Sequence, residues 1–253
     1  MTSFRCLDPV VRLQTMTSDS LGTVVLVTHH RPESYDTASD HLQALGYRLE
    51  WVCPALGQDL PEIRPDHVGA IIYGGRYSAT ETRRYPFMAQ ELDWTGRWLA
   101  TGRPFLGLCA GAQVMAVELG AALRPNPEGL SEIGYFTLDP TPKGASVFPS
   151  RMMVAQWHFL GFDLPSDTVR LATSSMFPNQ AIRFAENAFG FQFHPEISME
   201  QHELWLERQI DMTTIPGAQD VPTQRKLADV YHGPMKEWFI GFLEKWIRGA
   251  VPY

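Results

Sequence analysis

The chain has 253 residues, enough for one large domain or two small ones, and 44% hydrophobic residues against 19% charged is the balance of a globular core and not of a disordered segment. A formal net charge of −7 excludes the basic patch that a nucleic acid or an anionic membrane surface would need, so a small polar substrate is expected and neither of those partners. Three cysteines, Cys6, Cys53 and Cys109, are too few and odd in number for a disulfide framework, and the opening residues lack the pattern of a signal peptide, which together predict a cytoplasmic protein with reduced thiols.

Residues 1–20 show no periodicity and are expected to form a disordered tail. "TVVLVTHH", Thr23 to His30, is a continuous β-branched run and reads as a fully buried parallel strand. "YDTASDHLQALG" follows as a helix with Ala38, Leu42 and Leu45 on one face and Gly46 at its C-terminal cap. "RLEWVCP" and "VGAIIYGG" are the next strands, and a helix between Tyr85 and Thr101 ends at Gly102. "RPFLGL" is then strand and "AGAQVMAVELG" helix. This alternation implies an α/β fold, a central and mostly parallel sheet flanked by helices, with ligands beyond the carboxyl ends of its strands.

From Ser131 the runs shorten and become antiparallel in character: "IGYFTLDP", "MMVAQWH", "RLATS" and "QAIRFAENAFGFQFHPE". "SMEQHELWLERQIDM" opens as a helix with Ser198 and Gln201 at capping-box spacing. A last helix sets Met235, Trp238, Phe239, Phe242, Leu243, Trp246 and Ile247 in one apolar stripe, which predicts docking onto the body.

The chemistry concentrates in two places. Gly107-Leu108-Cys109-Ala110-Gly111 has the form of a nucleophile elbow in the strand-turn-helix context that the form requires. Glycines flanking the nucleophile relieve crowding between strand and helix, and a thiol at a helix start feels the positive end of the backbone dipole. A thiol nucleophile needs a base and a group to orient the base. In "FGFQFHPE", read as an extended strand, His194 and Glu196 are two residues apart and share a face. Taken separately, each motif has an ordinary alternative: a packed small cysteine for one, a surface His and Glu for the other. His29 and His30 could ligate a metal, but no second cluster has ligand spacing; packed histidines are the simpler reading, and neither metal nor cofactor is expected. No phosphate-binding glycine loop and no dinucleotide fingerprint is present in the sequence.

Taken together, "GLCAGAQ", "FQFHPE" and "YGG" at Tyr73 to Gly75 make the chain resemble the class I (triad-type) glutamine amidotransferases, over roughly Thr23 to Ile197. "FPNQAIRF" and the helical tail are most similar to the stand-alone, GMP-synthase-like members. The resemblance implies a flavodoxin-like fold, an amidotransferase domain over 21–197 and a helical C-terminal extension over 198–253 packed on the same domain. It implies a triad in which Cys109 attacks a γ-glutamyl amide, His194 acts as base and then acid, and Glu196 orients it. The N–H groups of Gly75 and Ala110 would form the oxyanion hole. Substrate contacts would come from Gly74, Gln113 and Arg76, and from His158 and Phe159 on the segment from Trp157 to Pro165. The implied reaction turns glutamine into glutamate and ammonia through a thioester, with an ammonia-accepting synthetase as partner.

Two departures bear on the substrate. Arg76 stands where the family's oxyanion loop often has proline, and "WHFL" replaces the "WHGD" of stand-alone relatives, removing a glycine and an acid. These favour a γ-glutamyl peptidase acting on γ-glutamyl peptides or amides, whereas the motifs themselves favour a glutaminase. A third reading is a catalytically silent binding domain, which thiol reactivity at Cys109 would discriminate.

Overall fold

The computed structural model describes residues 20–30, 36–207 and 211–252. The tail expected over 1–20 lies, up to residue 19, outside the described residues, as does Cys6.

The β-branched runs form the strands that their patterning predicts. β1 (Thr23–Val27), β2 (Arg48–Val52), β3 (His67–Ile72) and β4 (Phe105–Leu108) alternate with α1 (Thr37–Ala44), α2 (Pro86–Leu99) and α3 (Ala110–Glu118). The second half supplies β5 (Leu123–Pro125), β6 (Glu132–Pro140), β7 (Met152–His158), β8 (Leu160–Phe162), β9 (Thr168–Thr173), β10 (Ala181–Phe184) and β11 (Ala188–Phe191), then α4 (Met199–Leu206) and α5 (Val221–Ile247). Nine strands join in the order β2-β1-β3-β4-β11-β10-β9-β6-β7. From β2 to β11 neighbours are parallel, and from β11 to β7 antiparallel, so β11 is the seam of a mixed sheet. β5 and β8 form a separate two-stranded ribbon.

All of β1 is buried because both faces are covered. Val24 and Leu26 face the layer that holds α1 and α5, with Leu42, Phe239 and Trp246. Val25 and Val27 face the layer that holds α2 and α3, with Trp94, Trp98 and Met115. β1 ends three residues before the predicted run does, and Thr28, His29 and His30 leave the ladder at the carboxyl edge. α1 starts at Asp36, whose side chain accepts from the Ala38 and Ser39 N–H groups while the Ser39 hydroxyl returns to Asp36, a complete capping box. At α4 only half of the predicted box forms: Ser198 accepts from the Gln201 N–H at 3.0 Å, and the Gln201 side-chain oxygen is buried without a partner.

α5 is longer than its apolar stripe, with 27 residues, an Asp220 cap and Pro234 inside it. Its stripe closes one face of the sheet. The Trp246 indole donates to the Phe105 carbonyl at 3.1 Å and the Trp238 indole to Val147 at 2.9 Å, while Gly69 leaves room for Ile247, whose Cδ1 would lie 2.7 Å from a Cβ there. Among the described residues no helix is long and apolar enough to cross a membrane.

If α5 belongs to the same cooperative unit as the sheet, Trp246→Ala should lower the unfolding free energy by about 3–5 kcal/mol. Urea denaturation followed by fluorescence and circular dichroism should still show one coincident transition; a separate, early transition of α5 would contradict this.

Candidate active site

The elbow motif forms as its glycines require. Cys109 caps α3 with φ 49° and ψ −105°, a conformation that few non-glycine residues adopt. Its own N–H donates to the Phe191 carbonyl of β11 at 2.7 Å, and the first helical bond runs from the Gln113 N–H to the Cys109 carbonyl at 3.1 Å. The N–H groups of Ala110 and Gly111 therefore precede the helical ladder and remain open donors of the helix start. A Cβ on Gly107 would overlap the Gly111 carbonyl, and one on Gly111 would overlap the Ile72 carbonyl, so both glycines are needed for α3 to sit directly on the strand ends. The buried thiol touches the Trp157 carbonyl oxygen at 3.8 Å and the Gln192 side-chain nitrogen at 3.7 Å.

His194 and Glu196 meet, although not through the pleat of a strand. β11 ends at Phe191, and residues 192–196 follow as bends, where Pro195 has no N–H to continue a ladder. The bends are pinned from outside: the His194 N–H donates to Ala155 of β7 at 2.8 Å, and the Thr37 N–H at the start of α1 donates to the Glu196 carbonyl at 2.8 Å. The result is a 2.8 Å contact from His194 Nδ1 to Glu196 Oε1, with both side chains buried. With Nδ1 committed to Glu196, Nε2 is the ring nitrogen that remains for Cys109. Burial pulls the imidazole down, but the Glu196 carboxylate and the charge on Cys109 outweigh it and push the His194 pKa up to about 10. The His194 ring is thus held as imidazolium at neutral pH. The edge of Trp205 on α4 packs against the His194 ring at 4.9 Å.

Gly74 lies against both His194 and Cys109. A Cβ there would come 2.6 Å from His194 Cε1 and 3.4 Å from Cys109 Cβ. Gly75 abuts His29 instead, whose ring a Cβ would meet at 2.6 Å. Gln113 is buried and turned inward: its amide donates to the Leu160 carbonyl at 2.9 Å and to Gln192 at 3.1 Å. Arg76 is exposed, with its guanidinium over the Tyr77 ring at 5.4 Å. The segment from Trp157 to Pro165 is not an open loop, because β8 pairs with β5. On it Phe159 is 50% exposed at a bend, whereas His158 points into the body, with Nε2 at 3.0 Å from Glu132 and Nδ1 at 3.0 Å from the Leu160 carbonyl.

Three groups near the site are given no role by the motifs. His29 is buried against Glu91 of α2, which neither periodicity nor composition distinguishes from a surface glutamate. Gln192, two residues before His194, bridges Cys109 and Gln113. Asp36 accepts from the Tyr73 hydroxyl at 3.0 Å, and burial pushes its carboxyl up to about 6 with Glu196 contributing. Among the described residues no three His, Cys, Asp or Glu side chains converge to hold a metal ion.

Comparisons with known proteins bear on the family and the fold. The family model for glutamine amidotransferase class-I matches residues 40–211. A glutamine amidotransferase-like protein of Salmonella typhimurium, YfeJ, is 28% identical over 182 residues, which is 68% of this chain and 75% of that protein. The glutamine-hydrolyzing GMP synthase of Aliivibrio salmonicida is 26% identical over 75% of this chain but only 35% of its own length, so the chain spans about a third of that relative. A glutamine amidotransferase structure from Thermotoga maritima superposes with a TM-score of 0.80 at 26% identity, covering 89% of this chain and 98% of that one. A second, from Methylobacillus flagellatus, has a TM-score of 0.83 at 23% identity over 91% and 96%, and supports the fold.

Because Glu196 is the largest upward influence on His194, Glu196→Gln should let burial prevail and drop the imidazole pKa well below its starting value of about 10. Proton NMR titration of the ring measures it directly. In the wild type the ring should stay protonated through neutral pH and release its proton only as pH rises toward 10, so the ion pair stabilises the fold below pH 6.5 in full and is lost on the alkaline side. An unchanged titration in the variant would contradict the assignment.

Proposed function

We propose that this chain, which belongs to the class-I glutamine amidotransferase family, hydrolyses a γ-glutamyl amide bond with a Cys109, His194, Glu196 triad. The observation that carries the reading is a strained cysteine at a helix start, facing an imidazole whose far nitrogen is held at 2.8 Å by a buried carboxylate.

In the reaction Cys109 Sγ adds to the γ-carbonyl carbon, and the carbonyl π electrons move to oxygen. The N–H groups of Gly75 and Ala110 receive that oxyanion; one such donor is worth about 3 kcal/mol. His194 gives its Nε2 proton to the leaving nitrogen as the C–N bond breaks, so ammonia departs from glutamine and a γ-glutamyl thioester remains. Water then adds, its proton returns to His194, the C–S bond breaks and glutamate leaves with the thiolate restored. Glu196 keeps the imidazole in one orientation through both halves. The likeness to glutamine-hydrolyzing GMP synthases supports glutamine as the substrate and a synthetase partner as the ammonia acceptor.

One observation favours a second reading, a γ-glutamyl peptidase. Arg76 is exposed and adjoins Gly75, with its guanidinium resting on Tyr77, where a carboxylate beyond the scissile nitrogen could pair with it. Free glutamine has no group there.

Glutamate release from glutamine and from a panel of γ-glutamyl dipeptides separates the readings. Cys109→Ala should reduce release on the order of 10⁴-fold or more with the fold retained. Turnover of glutamine supports the glutaminase, and turnover of dipeptides alone, weakened by Arg76→Ala, supports the peptidase. Release that persists in Cys109→Ala would refute the triad.

A further inference from the structure

His29 lies two residues beyond β1, and its ring is enclosed: its side chain is 1% exposed and that of Glu91, its partner on α2, 0%. Nε2 stands 3.1 and 3.2 Å from the two Glu91 carboxylate oxygens, and Nδ1 stands 3.3 Å from the Gly74 carbonyl oxygen. Each ring nitrogen therefore faces an acceptor. A neutral imidazole carries one N–H and would press its remaining lone pair against a buried oxygen lone pair. Against an ionised Glu91, only the imidazolium satisfies both contacts. Burial opposes that charge, yet the Glu91 carboxylate and the Gly74 and Tyr73 carbonyls outweigh it and raise the ring above its ordinary value. Among the described residues, the other rings packed around it belong to Tyr77 at 6.1 Å and Phe87 at 6.4 Å, neither of which is a charge at neutral pH.

We propose that His29 is a positioning residue, a buried cation held by Glu91 that fixes the Gly74–Gly75 peptide in its working orientation. In a trans peptide the C=O and the N–H point in opposite directions. Anchoring the Gly74 carbonyl on His29 therefore turns the Gly75 N–H to the other side of the loop, the side on which Gly74 lies against His194 and Cys109. Two adjacent glycines supply little restraint of their own, and without the clamp that peptide is free to rotate and remove the donor. The same contact explains why position 75 lacks a Cβ: the His29 ring occupies its place. This rests on the oxyanion role given to Gly75 above. His29 touches no reacting atom and acts only through the loop.

Glu91→Gln tests it, because glutamine keeps the shape and one acceptor while removing the charge that holds the proton on His29. Two reactions of Cys109 are compared. Acylation by a γ-glutamyl anilide builds an oxyanion, and alkylation by iodoacetamide does not. The variant should lose about tenfold or more in kcat for acylation with KM little changed, while alkylation stays within about twofold of wild type. Its acylation should recover as pH falls and fail at lower pH than the wild type on the alkaline side, because His29 now loses its proton sooner. Equal losses in both reactions, or an unchanged pH profile, would overturn the proposal. A measurement on the wild type needs no variant to fold: nitrogen-proton NMR of His29 should show two ring N–H groups at neutral pH and a titration above 6.5. A single ring N–H there overturns the clamp whatever the activity. Wild-type protein that carries the imidazolium yet hydrolyses no γ-glutamyl compound overturns the oxyanion role and leaves only the clamp, so the two readings fail separately.

Discussion

The backbone of Cys109 is the constraint on which the rest of the site depends. A non-glycine residue at φ 49° and ψ −105° stores on the order of 1–3 kcal/mol of strain and keeps that conformation only where its neighbours enforce it. Here they do so from three directions. β11 takes its N–H through the Phe191 carbonyl, α3 takes its carbonyl through the Gln113 N–H, and the contacts of Gly107 and Gly111 let the helix press onto β3 and β4 without a Cβ between them. The sheet at this point is buried on both faces, so it cannot relax to release the strain. The thiol is consequently thrust off the strand ends with no freedom to turn back into the core.

Electrostatics are organised by three buried histidine–carboxylate contacts near the carboxyl edge: His29–Glu91, His158–Glu132 and His194–Glu196. Buried ion pairs are weak evidence for stability, since desolvation offsets most of their attraction. Their differences are more informative. Both oxygens of Glu91 face His29, and Glu132 is shared among His158, Ser174 and Gln180, so those charges are distributed over fixed donors. Glu196 keeps Oε2 buried without a partner among the described residues. Its Oε1 is directed at His194, and its charge is the largest influence holding the imidazole protonated against complete burial. The first two contacts fix the surrounding walls, and the third leaves its charge on the ring nearest the thiol.

The parts of this site that sequence makes legible are those in which neighbours in the chain are neighbours in space. The elbow is five consecutive residues, and its glycines are needed for a reason that spacing reveals. His194 and Glu196 are also close in sequence, although the geometry that joins them is a pair of bends held by β7 and α1 and not the strand pleat that the spacing suggests. Glu91 is illegible because its partner is 62 residues away and its helix offers a second acid, Asp93; only the packing of α2 shows which one turns inward. His158 misleads in the opposite way. Its place beside Trp157 suggests a residue of the substrate mouth, yet the β5–β8 ribbon and the buried Glu132 draw the ring into the body.

The two halves of the sheet make different contributions, and the site exists because they meet. Cys109 and Gly74 come from the parallel half, whose strand ends converge at one edge as such sheets require. His194 comes from the seam strand but is held by the antiparallel half, through the Ala155 carbonyl of β7. Ala155 is itself braced from behind, since its N–H contacts the Met235 sulfur of α5 at 3.4 Å. α5 thereby reaches the imidazole in two steps, from its apolar stripe to β7 and from β7 to the His194 backbone. A helix that looks from sequence like a cover for the core is thereby also linked to the backbone of His194. A shift of β7 would move His194 relative to a cysteine that the parallel half holds, so the spacing of the two side chains depends on the register between the halves and not on either half alone.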